Sequence, residues 1–253
     1  MTEAGSPSEY EYSESGDRLR RSRGKRKDRK KRHPFVTFLI DLLSIVAFAL
    51  VLSLLIKSFI VRSFFIPSES MEDTLIVKDR IVVSEFYPTL LPLERGDIVV
   101  FRDPGGWLGP VQTTPAPIWV QAWDWFLASF GITAPDSENH LVKRVIGLPG
   151  DHITCCDRDG HLKINGKSIT EVYIKPGASP SEKNFDITVP ANSYWVMGDN
   201  RSNSADSRFH MDLPSKGFVG REFIVGRAIV LSWPFERFKW LDNYPDVFAS
   251  ITK

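Results

Sequence analysis

The chain has 253 residues, of which 42% are apolar, 25% charged and 12% aromatic; it can bury one substantial core or two small ones, which excludes wholesale disorder. Two cysteines and 17 glycines without a period exclude a disulfide-dense miniprotein and a collagen. The net charge of +1 argues against a nucleic-acid binder, but it averages two unlike parts. Residues 1–33 hold 11 of the 32 basic and 6 of the 31 acidic residues, a net +5, which leaves −4 for the rest.

Residues 1–17 carry five acids and no base, are rich in Ser and Glu, and show no apolar period. That composition predicts disorder. Residues 18–32 then set eleven basic residues against one acid, Asp28, a run that suits a nucleic-acid patch, a targeting signal or a membrane-surface anchor. The next segment decides between them. Residues 35–56 are apolar except for Thr37, Asp41, Ser44 and Ser53, and as a helix they reach about 33 Å, against a hydrocarbon core of roughly 30 Å. A cleavable secretory signal has an apolar region of about 7 to 15 residues ending in small residues, whereas this one ends in Lys57-Ser58-Phe59-Ile60. An uncleaved anchor over residues 34–57 is expected, and its length argues against a buried soluble helix. Eleven positive charges precede it and only Lys57 and Arg62 soon follow, so the tail is expected in the cytosol and residues 58–253 outside. Asp41, costly in a span, is expected to face a partner helix or the interface.

Beyond Lys57 the texture becomes short β-branched and aromatic runs between Gly, Pro and Asp, at 80–86, 97–102, 140–147, 161–164, 185–189, 193–197 and 227–232. The pattern predicts a mainly antiparallel β domain behind one transmembrane helix. Asn165-Gly166 between two apolar-alternating stretches predicts a tight hairpin. An insertion at about residues 103–139 breaks the pattern: it carries four of the seven tryptophans and spaces Trp119, Trp123, Phe126, Leu127 and Phe130 as on one helix face. Such a helix would cover a face of the sheet or rest in the headgroup layer.

Three segments place polar residues where strands alone need none. In Ile66-Pro67-Ser68-Glu69-Ser70-Met71, an extended course puts the two serines on one side, although Ser-rich turns are common and carry no chemistry by themselves. In Leu141-Val142-Lys143-Arg144-Val145-Ile146-Gly147, alternation puts Lys143 with Leu141 and Val145, and Arg144 with Val142 and Ile146, so one cation is expected on the inward face. A buried lysine loses proton affinity and becomes a base near neutral pH, which arginine cannot do; the plainer reading is a lysine snorkelling from an edge strand. In Gly198-Asp199-Asn200-Arg201-Ser202-Asn203-Ser204-Ala205-Asp206-Ser207-Arg208, the density of hydrogen-bonding side chains predicts a buried cross-linked loop.

Together these segments resemble the bacterial type I signal peptidases, membrane-anchored serine proteases with a Ser/Lys dyad. The likeness runs in order from the anchor through Ile66-Pro67-Ser68-x-Ser70-Met71, Arg95-Gly96-Asp97-Ile98-Val99, Lys143-Arg144 with Gly147-Leu148-Pro149-Gly150-Asp151, and the 198–208 loop to Gly226-Arg227-Ala228. The resemblance implies Ser70 as nucleophile and Lys143 as general base. It implies Ser68 and the Ser70 N–H as oxyanion donors, Ser204 as the residue orienting the amine, and Asp206, Arg208, Asp199 and Arg144 as the supporting network. Phe64, Ile66, Pro67, Met71, Leu75, Val142 and Val145 are expected to flank the dyad and form shallow pockets that admit Ala. The implied reaction is removal of signal peptides from exported preproteins after Ala-x-Ala sites, with no cofactor. The implied partners are those signal peptides, the lipid bilayer and, at the basic tail, anionic headgroups, with no nucleic acid. With Ser70 only 14 residues beyond Ile56, cleavage is expected near the outer surface of the cytoplasmic membrane.

The chain departs from the family's usual pattern at Glu69, Asp73, Ser202 and residues 209–212, which bears on substrate preference and leaves the dyad untouched. Cys155 and Cys156 are adjacent and can pair with each other, pair between chains or stay reduced; no catalytic role is expected. The five histidines lack metal-ligand spacing, and His140 is expected at the surface. A self-cleaving repressor would also use a Ser/Lys dyad, but it fits neither the span nor the lack of a helix-turn-helix pattern. A tethered interaction domain with a merely buried lysine is the non-enzymatic alternative.

Overall fold

A computed structural model describes residues 34–59, 61–109, 117–120 and 139–251. The 1–33 tail, residues 110–116 and 121–138 of the expected insertion, and with them Trp123, Phe126, Leu127 and Phe130, lie outside the described residues. Helix α1, Pro34–Phe59, extends two residues past the expected anchor. Its stretch Pro34–Leu52 has a mean hydropathy of 2.6 and no buried side chains, and is long and apolar enough to cross a membrane. Within it, the Ser44 hydroxyl donates to the Asp41 carbonyl at 2.8 Å.

The other described residues form two antiparallel sheets. The larger runs in the order β1 (Val61–Phe65), β2 (Arg80–Ser84), β11 (Ile224–Trp233), β3 (Ile98–Arg102), β4 (His140–Gly147), β9 (Ser193–Met197), β10 (Val219–Gly220), with β12 (Lys239–Trp240) also pairing β11. The smaller runs β7 (Lys167–Ser168), β6 (Lys163–Ile164), β5 (His152–Cys155), β8 (Phe185–Thr188). The predicted β class holds, and the β6–β7 hairpin turns on Asn165 and Gly166, both at positive φ, as a tight primed turn requires.

Long β11 keeps a burial alternation along most of its length. Strand β4 does not: its last six residues are all buried, because it lies between β3 and β9 with both faces covered. This corrects the expectation that one of its two cations faces inward. Both do. Lys143 is 3% exposed and Arg144 0%, and the strand is central, so Lys143 has no edge to snorkel from.

Three apolar clusters fill the domain. Ile66, Met71, Leu75, Ile81 and Val100 form one, Val99, Phe101, Trp107, Val145 and Val196 a second, and the small sheet contributes Ile153, Ile164 and Phe185 to a third with Ile146, Trp195 and Met197. Gly147 marks the crossing of the two sheets: a Cβ there would sit 2.3 Å from Ile153 Cδ1 and 3.0 Å from Val189 Cγ2. The described start of the insertion also belongs to this core. Asp103 Oδ1 accepts from the N–H groups of Gly105 and Trp107 and Oδ2 from that of Leu108, which seats Trp107 edge-on against Phe101 and stacks it on His210 at 4.3 Å. Cys155 and Cys156 are joined to each other.

Candidate active site

The β1–β2 ladder continues past its strands through Ile66 N–H to Asp79 O at 2.9 Å and Lys78 N–H to Ile66 O at 3.0 Å. The chain then leaves the sheet. Ser68 is extended, but Glu69–Met71 is a single 3₁₀ turn, so the two serines do not share one extended stretch as expected. The turn nevertheless brings their hydroxyls to 3.2 Å.

Strand β4 approaches that turn from the sheet, and Lys143 Nζ donates to Ser70 Oγ at 2.6 Å. Ser70 is itself 8% exposed, so the pair is largely out of water. Burial lowers the Lys143 ammonium from its ordinary 10.5 to about 8, opposed by the carboxylates of Asp206 and Asp199 and assisted by the charge of Arg208.

The loop after β9 holds both partners. Asp206 accepts bidentately from Arg208 at 2.8 Å through each oxygen and from Gly198 N–H at 3.0 Å. Burial would raise the Asp206 carboxyl, but Arg208, Gly198 N–H and the Lys143 charge outweigh it and hold it below the usual carboxylate range. Asp199 binds Arg144 at 2.8 and 2.7 Å and accepts from the Thr74 hydroxyl at 2.6 Å. The guanidinium of Arg144 also donates to Gly96 O at 2.6 Å and lies over the Tyr173 ring. Arg201 pairs with Glu171 at 2.8 and 2.6 Å, donates to Gly198 O at 2.9 Å, and is wholly enclosed. Each buried arginine here has a carboxylate and at least one carbonyl, which is what makes burial of a charge tolerable.

A cavity of about 650 Å³ opens beside the pair, lined among others by Ile66, Pro67, Ser68, Met71, Val142 and Lys143. A hydroxyl in hydrogen-bond contact with a desolvated amine, at the wall of a cleft lined by both apolar and polar side chains, is an arrangement suited to acyl transfer.

A family model described as signal peptidase, peptidase S26, matches residues 39–233. The chain belongs to this family. A Mycobacterium tuberculosis protein named signal peptidase I is 36% identical over 212 residues, covering 75% of this chain and 70% of that one. A Synechocystis protein named probable signal peptidase I-2 is 33% identical over 209 residues, covering 83% and 80%. The crystal structure of a signal peptidase I from Enterococcus faecalis, 26% identical, covers 53% of this chain and 95% of its own with a TM-score of 0.32.

In this peptidase the expected site residues fall into two groups. Ser68, Ser70, Lys143, Ile66, Pro67, Met71 and Val142 share the cleft, with Asp199, Arg144, Asp206 and Arg208 packed behind it. Phe64 and Leu75 do not line it, which corrects the expected pocket. Both are buried in the core cluster with Ile81 and Val83, where Phe64 also packs on His140 at 5.1 Å; Val145 belongs to the second cluster. Proximity in sequence misplaces them because a residue two positions from lining Ile66, such as Phe64, or four from lining Met71, such as Leu75, can lie wholly within the core cluster. Ser204 differs too: its hydroxyl is buried beside Gly198 but makes no hydrogen bond among the described residues, to Lys143 or to any other group.

Sequence reasoning assigned no role to Thr74, Asn200 or Glu171. Asn200 at least stands inside a recognisable motif, the 198–208 loop. Glu171 has no local signal, since its partner Arg201 lies 30 residues on. Trp107, Leu108, His140 and Leu141 also line the cleft, placing His140 at the cleft instead of the open surface.

Proposed function

We propose that this chain is a membrane-anchored type I signal peptidase that cleaves exported preproteins after Ala-x-Ala sites through Ser70 and Lys143. The observation that carries the reading is the 2.6 Å contact between Lys143 Nζ and Ser70 Oγ, made by an amine whose burial brings it to about 8. As a neutral base, Lys143 takes the hydroxyl proton while Ser70 Oγ bonds to the scissile carbonyl carbon. The carbonyl oxygen becomes an oxyanion held by Ser68 Oγ and the Ser70 N–H. A donor of this kind is worth about 3 to 4 kcal/mol of barrier. Collapse breaks the C–N bond as the ammonium returns its proton to the departing amine, and water, activated by the same lysine, hydrolyses the Ser70 acyl ester. Asp206, Arg208, Asp199 and Arg144 fix the loop and strand that carry these groups.

The apolar cleft wall of Ile66, Met71 and Val142 suits small side chains before the cut. Residues 34–57 serve as a single-pass anchor, with the tail in the cytosol, where its eleven basic residues meet anionic headgroups, and residues 58–253 act outside. The test uses the full-length protein in detergent with a preprotein bearing an Ala-x-Ala site. Ser70→Ala and Lys143→Ala each reduce cleavage by at least about a thousandfold, with circular dichroism and melting unchanged in kind. Full cleavage by either folded variant would remove the assignment.

A further inference from the structure

Asn200 is 2% exposed and faces the nucleophile turn with two separate groups. Its backbone N–H donates to Ser70 O at 3.1 Å. Its side-chain Nδ2 donates to Glu69 O at 3.1 Å and to Glu72 Oε2 at 3.1 Å. Two oxygens with no proton to give fix which end of the amide faces them, because only the NH₂ can donate. Glu72 is in turn held by Lys175 Nζ at 2.7 Å, and Glu69 O accepts a second bond, from Glu72 N–H at 3.0 Å.

Glu69 O and Ser70 N belong to one peptide unit. A planar trans peptide points its C=O and N–H in opposite directions, so clamping the oxygen aims the hydrogen. Ser70 N–H is moreover the second donor of the 3₁₀ turn Glu69–Met71, and the first N–H groups of a helical turn have no acceptor within it. A carbonyl that accepts two hydrogen bonds also polarises its own N–H toward stronger donation.

We propose that Asn200 is a positioning residue of the oxyanion hole: by holding Glu69 O through Nδ2 it aims and strengthens the Ser70 N–H at the developing oxyanion. This rests on the Ser70/Lys143 reading. Asn200 touches neither substrate nor Lys143, and its effect is confined to the charge that forms in the transition state.

Asn200→Ala keeps the backbone bond to Ser70 O and removes the Nδ2 clamp, together with the long 3.4 Å bond that Oδ1 accepts from Ser202 Oγ. Full-length wild type and variant are compared on a signal-peptide-derived peptide with an Ala-x-Ala site. The expected result is a kcat lower by about ten- to a hundredfold, KM within twofold, and an ascending pH limb at the wild-type position. The inhibition constant of a peptide aldehyde, whose adduct with Ser70 places an oxyanion in the hole, is expected to rise by the same factor as kcat falls. An unchanged kcat, a loss carried by KM, or undiminished aldehyde affinity would overturn the proposal. Glu72→Ala, which frees the clamp's other end, is the second variant should Asn200→Ala not fold; its kcat is expected to fall severalfold at constant KM, and no fall would count equally against the idea. Wild type that cuts no peptide would instead sink the protease reading itself.

Discussion

Burial sets the chemistry of Lys143. With the ammonium brought to about 8, only the neutral form beside Ser70 can take a proton. The expected kcat/KM therefore falls about tenfold per pH unit below 8 and levels above it; a profile flat from pH 6 to 9 would contradict the assignment. The same burial has a stability consequence of opposite appearance. A lysine whose folded affinity for the proton is depressed destabilises the fold below about 8, and that burden is relieved between about 8 and the ordinary 10.5 as the folded state releases its proton first. By the ~1.4 kcal/mol that each tenfold change in proton affinity represents, the burden is on the order of 3 kcal/mol. Lys143→Met is thus expected to melt several degrees above wild type at pH 7, with the gain shrinking as pH is raised through 9 and 10; equal melting temperatures at pH 7 would show the charge to be better compensated than its surroundings imply. The resemblance singled out Ser70, Lys143 and Ser68, which none of their segments did alone. The Asp206–Arg208 ion pair, two residues apart, came with the resemblance and is present; the long-range bidentate pairs were not legible, since Arg144 and Asp199 lie 55 residues apart and Arg201 and Glu171 30, and no local pattern announces which carboxylate a distant guanidinium will find.

The elements explain why these residues stay in place. Strand β4 supplies Lys143 on one face and Arg144 on the other, and the loop after β9 answers each with a carboxylate, Asp206 for the amine and Asp199 for the guanidinium. Arg144→Met leaves the Asp199 carboxylate buried with only the Thr74 hydroxyl and is expected to cost about 3 to 5 kcal/mol in urea unfolding, most of which Arg144→Met with Asp199→Leu should restore. A double variant as unstable as the single one would place the value of the pair in the carbonyl contacts of Arg144. The loop also depends on a missing side chain: a Cβ on Gly198 would lie 2.2 Å from Ser204 Oγ and 2.4 Å from Ser70 O. Gly198→Ala must push the loop off the nucleophile turn, and a displacement of about 1 Å there is expected to lower kcat by roughly a hundredfold. Activity within twofold of wild type would mean the loop has room to give. Most strands were readable from β-branched runs because their period needs no partner. The 3₁₀ turn at Glu69–Met71, the two-faced burial of β4 and the pocket wall at Trp107 were not, since each is set by what packs against it.

In the molecule as a whole, an apolar helix precedes a β domain that carries the complete candidate site. Tethering raises the local concentration of a membrane-held substrate without altering chemistry. Removal of residues 1–57 is expected to leave kcat/KM on a soluble peptide within about twofold and to slow cleavage of a vesicle-inserted preprotein by at least tenfold; equal slowing of both would assign the helix a part in the fold. The β class, the apolar span and the ordered motifs are written in the linear order of the chain, because periodicity, length and spacing are properties of adjacent residues. Packing alone put both cations of β4 inside, drew Phe64 and Leu75 into the core, and brought Asn200 to the peptide before Ser70. The proton affinity of an amine and the direction of an N–H depend on groups drawn from distant strands and loops, and burial and hydrogen bonding exist only once those segments are packed together.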